Sequence, residues 1–151
     1  MKNQKIEAFQ VIGISIRTTN KEAATMGSIG NLWGKFLSEN LMQAIQNKTS
    51  FDIYCLYTDY ESDFTGEFTV ILGCKVNSLD NIPKGFVGKT IPAADYQNFT
   101  AKGKMPECVY GTWQEIWTTK IDRKYSTDFE IYGEKSQNSE NAEVEIFIAL
   151  K

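Results

Sequence analysis

At 151 residues the chain has room for one domain with a proper core. An apolar content of 42% with 13% aromatics fits a globular chain with an aromatic interior or pocket. The net charge of −3, with lysines scattered rather than striped, argues against a nucleic-acid surface. No apolar run is long enough to span a bilayer. The opening Met1-Lys2-Asn3-Gln4-Lys5 is polar and no apolar signal region follows it. The expectation is therefore a cytoplasmic chain with no membrane and no direct nucleic-acid partner. Histidine is absent, and Cys55, Cys74 and Cys108 form no CxxC pair. That removes the usual zinc spacings and every histidine-based nucleophile pair, leaving carboxylates and tyrosines for any catalysis. No metal and no cofactor is implied.

In chain order, Phe9–Thr18 is rich in β-branched residues and reads as a strand. Ser28 is placed to cap a helix with apolar positions Ile29, Leu32, Trp33, Phe36, Leu37, Leu41 and Ile45, one buried face at helical period. Residues 51–60 and 68–76 follow as a hairpin across an acidic turn containing Gly66. Asp59, Glu61, Asp63 and Glu67 crowd that turn without the spacing of a calcium loop, so it reads as a solvated tip. A polar loop ends at Pro83.

The order then recurs. Extended segments at 86–91 and 95–101 precede a helix opened by Pro106, with apolar positions Val109, Trp113, Ile116 and Trp117. Strands at 129–132 and 144–150 close the chain. Trp33 precedes Tyr54 much as Trp113 precedes Tyr132, which suggests a duplicated strand–helix–strand–strand unit over residues 8–77 and 85–151. Two such units predict an α+β fold: a mainly antiparallel sheet of about eight strands, two principal helices on one face and a groove between them.

Two carboxylates in the final strands carry the functional argument. Glu130 shares a strand face with Tyr132, and Glu145 shares one with Phe147. A mid-strand carboxylate flanked by large apolar residues is costly to bury without compensation. Ringed by aromatics, it can hold an organic cation through charge and cation–π attraction. Glu145 has a second reading, a cross-strand pair within the sheet or a support for Tyr132 or Glu130. Trp113 and Trp117 share one helical face, so at least one is expected to reach the groove, whereas Trp33 has an aliphatic, core-like neighbourhood.

The chain resembles the DNA-gyrase-inhibitor-like family of small-molecule-binding domains, which also serve as effector-binding domains of AraC-type and multidrug-sensing MerR-type activators. The resemblance runs through Val11-Ile12-Gly13-Ile14, Leu32-Trp33 with Phe36, Tyr54 with Tyr57-Thr58-Asp59-Tyr60, Gly73, and Ile91-Pro92-Ala93 leading to Tyr96. It continues through Trp113, Trp117, Phe129-Glu130-Ile131-Tyr132 and the last strand around Glu145. The family implies tandem βαββ units around a pseudo-twofold axis and Glu130 as the acidic anchor for hydrophobic cations. It also implies pocket walls from Trp33, Trp113, Trp117, Tyr54, Tyr96 and Tyr132, to which strand alternation adds Phe147 beside Glu145. The chain looks like a free-standing member, similar in character to cationic-drug-binding proteins of integron cassettes, with no catalytic residues assigned. Two alternatives stay open. One is a glutamate- and tyrosine-dependent hydrolase of electrophilic small molecules. The other is a protein-binding role, toward gyrase or a transcription regulator.

Overall fold

Strand and helix boundaries follow the residue pattern closely. The computed structural model describes residues 2–151. It contains β1 (Lys2–Ile6), β2 (Phe9–Thr18), α1 (Asn20–Met26), α2 (Ser28–Ser38), β3 (Ile53–Thr58), β4 (Phe68–Val76), β5 (Val87–Ile91), β6 (Ala94–Gly103), α3 (Glu107–Thr118), β7 (Thr127–Tyr132) and β8 (Ala142–Ala149). Short 3₁₀ turns occupy Leu41–Ala44 and Glu134–Ser136. None of the described helices is long and apolar enough to cross a membrane.

The strands form one antiparallel sheet in the order β1-β6-β8-β7-β3-β4-β2-β5. This order is symmetric about the β7–β3 seam, so β3 corresponds to β7, β4 to β8, β2 to β6 and β5 to β1. Each outermost strand pairs with the opposite half: β1 lies on β6, and β5 lies on β2. The two halves are therefore laced at both edges as well as joined at the seam. The fold class is the expected α+β arrangement with a pseudo-twofold sheet.

Two elements depart from the sequence pattern. β1 carries Lys2-Asn3-Gln4-Lys5, a polar run that does not read as a strand, because an edge strand can be solvated. α1 precedes α2 and ends at Gly27, whose φ of 68° is left-handed and turns the chain into α2. Ser28 is consequently the first helical residue and not the cap. Its hydroxyl bonds Thr18 at 2.7 Å, while Thr19 caps α1 by accepting from the Glu22 amide. Asn40, left-handed at φ 53°, stops the helical run before Leu41, so Ile45 reaches the core from an extended segment.

Alternation along the strands makes two interiors. On the helix-bearing face, Ile12, Ile14, Val70 and Leu72 pack with Leu32 and Phe36 of α2, and Ile146 and Ile148 pack with Ile116 of α3. The other face buries Phe9, Val11, Tyr54, Leu56, Tyr96, Phe129 and Phe147. Phe129 stands at the centre of this second cluster, stacked on Phe147 at 4.8 Å and edge-on to Phe9 and Tyr96 at 5.1 and 5.2 Å.

In the β2–β4 ladder Gly13 faces Gly73 across a close backbone approach. A Cβ on Gly73 would meet the Ile12 carbonyl at 2.0 Å, and one on Gly13 the Leu72 carbonyl at 2.2 Å. Gly73→Ala is expected to lower the unfolding free energy by ~3 kcal/mol. Gly111→Ala, at an open position of α3, should instead raise it by ~0.5–1 kcal/mol. Urea titrations of both variants check the contrast.

Candidate functional site

Glu130 sits mid-strand in β7, opposite Cys55 of β3 and Ile146 of β8. It faces the helices, two residues from Tyr132, and is only 1% exposed. Its carboxylate accepts hydrogen bonds from the Trp113 indole N–H at 2.6 Å and the Tyr132 hydroxyl at 2.7 Å. The Tyr57 hydroxyl and the Cys55 thiol lie beside it and favour its charged form. Among the described residues, no lysine or arginine forms an ion pair with it. Burial pushes the Glu130 carboxyl above its ordinary range, and Trp113, Tyr132 and the neighbouring Tyr57 and Cys55 pull it back only in part. Tyr132 and Tyr57 are themselves raised, by burial first and the neighbouring acidic groups second, so both stay protonated and keep donating.

The aromatic surroundings obey the sheet's symmetry. Trp33 of α2 meets Tyr132 of β7 edge-on at 4.6 Å, and Trp113 of α3 meets Tyr57 of β3 edge-on at 5.3 Å. Each half thus lends its helix tryptophan to the other half's strand tyrosine. The partner of Tyr132 by symmetry is Tyr57, and the sequence comparison with Tyr54 is corrected here. Strand alternation turns Tyr54 to the opposite face, where it packs on Phe9 and Phe129. The residue equivalent to Glu130 is Cys55, directly across the seam.

Between the helices and above Glu130 lies a groove of about 1370 Å³, large enough for a drug-sized ligand. Its lining includes Glu130, Tyr132, Trp113, Trp117 and Trp33 of the expected set. The expected walls Tyr96, Tyr54 and Phe147, and the carboxylate Glu145, are instead on the far face. Register is the physical reason: Glu145 pairs with Ile131 and Phe147 with Phe129, so both point away from Glu130. Glu145 accepts from Asn98 and Thr100, each at 2.9 Å, a cross-strand arrangement within the sheet. Tyr96 is fully buried against Phe129.

Several lining residues escape the sequence pattern. Tyr57 and Tyr60 complete the floor, and Phe64, from the acidic turn, stacks on Trp117 at 6.0 Å. Phe51, 82% exposed, stands at the mouth. Arg123 also borders the groove and pairs with buried Asp128 at 2.7 Å. Asp128 accepts in addition from the Tyr60 hydroxyl and the Ala149 amide. The alternation Asp128, Glu130, Tyr132 already placed Asp128 on the groove face, so that signal was readable. Arg123 lies outside any regular element and carried none.

The arrangement offers a desolvated negative charge beneath a wide aromatic cleft. Three comparisons bear on what it belongs to. YobU of Bacillus subtilis (strain 168), a protein named as a transcriptional regulator, is 32% identical over 92% of this chain and 90% of its own length. The integron cassette protein VCH_CASS2, from the mobile metagenome of Vibrio cholerae, superposes with a TM-score of 0.78 at 37% identity, covering 99% of this chain and 95% of that one. SAV2435, solved bound to tetraphenylphosphonium, superposes with a TM-score of 0.81 at 22% identity over 99% and 93% of the two chains, and so shares the fold. The profile of the integron-associated effector binding proteins, Cass2, matches residues 4–150, and the chain belongs to that family.

Proposed function

We propose that the groove binds small hydrophobic organic cations reversibly, with Glu130 as the anionic anchor. Membership of an effector-binding family already makes this a small-molecule-binding protein. The observation that carries the finer reading is the buried Glu130 carboxylate, held by the neutral donors Trp113 and Tyr132 with no counter-charge among the described residues. A delocalised cation is cheap to dehydrate and supplies the missing charge. Each well-placed aromatic face adds ~0.5–2 kcal/mol of cation–π attraction. A neutral ligand would leave the carboxylate buried and unpaired, at a cost of about 1–3 kcal/mol. The tetraphenylphosphonium bound by SAV2435 is a ligand of this kind on the same fold.

Selectivity of this sort is loose. Aromatic walls tolerate differences in shape that a dense hydrogen-bond network would reject. We place the protein in the cytoplasm, sensing or sequestering such cations, with a separate transcription regulator as the protein partner that fits the regulator relative. One observation favours a second reading. The Tyr132 hydroxyl on a carboxyl raised by burial is also a pair that could activate water against an electrophile. Turnover of a reactive electrophile that disappears in Glu130→Gln would move the assignment there.

Tryptophan-quenching titration with rhodamine 6G tests the primary reading. Glu130→Gln is expected to weaken binding about tenfold or more, a loss of ~1.4 kcal/mol, with the far-ultraviolet dichroism unchanged. Equal affinity in both proteins would remove Glu130 as the anchor.

The raised Glu130 carboxyl also sets a pH dependence. The folded chain holds this proton more tightly than the unfolded chain does. Stability of the free protein therefore declines as pH rises from the ordinary carboxylate range through the raised one. Binding of a permanent cation runs the opposite way: affinity should fall as pH drops through the raised range, and Glu130→Gln should be flat. Trp113→Phe removes one donor to the carboxylate while keeping a ring over Tyr57. Its binding midpoint should move to higher pH, which the same titration series would reveal.

A further inference from the structure

The two helical walls of the groove follow one pattern but carry different side chains. Ile29, Trp33 and Phe36 of α2 recur at the same spacing as Val109, Trp113 and Ile116 of α3. Their surroundings correspond as well. Ile29 and Val109 are half-buried against the two clusters of the helix face, and Phe36 and Ile116 are each 1% exposed within them. The same offset matches Gly30 with Tyr110 and Leu37 with Trp117, and all four line the groove.

On α3, Tyr110, Trp113 and Trp117 make one aromatic wall, with the Trp117 ring 6.2 and 6.3 Å from the other two. On α2, the ring of Trp33 is flanked on the same helix face by Gly30 and Leu37. Neither backbone nor packing asks for glycine at position 30. It lies within the α2 helix, outside the left-handed region, and a Cβ there would meet nothing within 4 Å. The missing side chain is therefore open groove space. The corner where α1 turns into α2 adds the small side chains of Ala23 and Ala24 to the lining.

We propose that Gly30 is a specificity-determining residue: it leaves a recess in the α2 wall that receives the out-of-plane group of a non-planar cation while the charged ring system lies over Glu130. This deepens the cation reading and rests on the groove being a cation site. A flat cation lying on the two tryptophan–tyrosine pairs meets like walls on both sides. A group standing across the ring plane needs room on one wall, and the α3 wall is filled at the matching position by Tyr110. Seated at Gly30, that group leaves water without displacing a side chain. The ligand class becomes organic cations with a bulky group across the plane of the charge, and flat cations of the same charge are the weaker ligands.

The test uses two dyes that share one cation. Pyronin Y is a flat bis(dimethylamino)xanthylium. Tetramethylrhodamine methyl ester is the same xanthylium with an aryl ring held across its plane by an ortho ester. Wild-type protein should bind the rhodamine ester about tenfold more tightly. Gly30→Leu fills the recess without adding a ring or a charge. It should weaken the rhodamine ester by about fivefold or more and leave pyronin Y within about twofold of wild type. Gly30→Ala, the smallest filling, should fall between the two. Gly34→Leu is the control, at an equally open position of α2 outside the groove lining, and should keep the wild-type ratio of dissociation constants. Circular dichroism and a thermal melt check that each variant is folded.

A wild-type ratio of one or below overturns the proposal without any variant. So does a ratio that survives in Gly30→Leu, an equal loss for both dyes, or a matching fall in Gly34→Leu. The parent reading is judged separately, by whether Glu130→Gln weakens rhodamine 6G. A ratio that depends on Gly30 while Glu130→Gln has no effect removes the anchor and keeps the recess. Absence of saturable binding of either dye to the wild type overturns both.

Discussion

A carboxylate without a counter-charge, at the middle of an eight-stranded sheet, is the constraint around which this molecule is arranged. Trp113 and Tyr132 donate to Glu130, Tyr57 and Cys55 lie beside it, and each needs its own support. Trp113 must come from a helix packed on β6, Tyr132 from the same strand, and Tyr57 and Cys55 from across the seam. Donors of this kind lower the cost of the charge without cancelling it. A lysine or arginine in place of Trp113 would satisfy Glu130 permanently and leave nothing for a ligand to do. An incompletely compensated anchor is what the proposed binding of cations depends on.

The sheet can carry this burden because its stability is concentrated elsewhere. The face turned away from the groove is an aromatic core around Phe129, with no buried charge among the described residues of its cluster. Phe129 and Glu130 are adjacent in sequence and serve the two faces of one strand. The outer strands, exchanged between halves, lock the frame at both edges. Rigid support of this sort lets the helix face stay open between α2 and α3.

Most of the frame was legible in the residues. β-branched runs marked β2 and β4, the i, i+3, i+4 pattern marked α2, and Pro106 marked the start of α3. Alternation correctly joined Glu130 to Tyr132. What alternation leaves undetermined is which face of one strand joins which face of its neighbour, since that is set by register. Tyr54 and Tyr57 lie three apart, and only the pairing of Cys55 with Glu130 shows that Tyr57 shares the groove. The same ambiguity placed Phe147 in the pocket, and the family resemblance placed Tyr96 there; the β6–β8–β7 ladder turns both into the core. Arg123 and Phe64 were beyond reach for a different reason: both lie between regular elements, where no period constrains a side chain's direction.

The exchange of tryptophans between halves has a consequence for how a ligand lies. Trp33 over Tyr132 and Trp113 over Tyr57 make walls that look alike after a half-turn, and the Cys55–Glu130 pair sits on the axis of that turn. A cation inverted end for end therefore meets nearly the same rings and the same charge. Orientation is close to degenerate for molecules recognised by ring faces alone, and disorder of pose becomes a favourable entropy of the complex. The Arg123–Asp128 pair breaks this symmetry at one end. A groove so arranged would be permissive about shape while its ion pair gives it a direction.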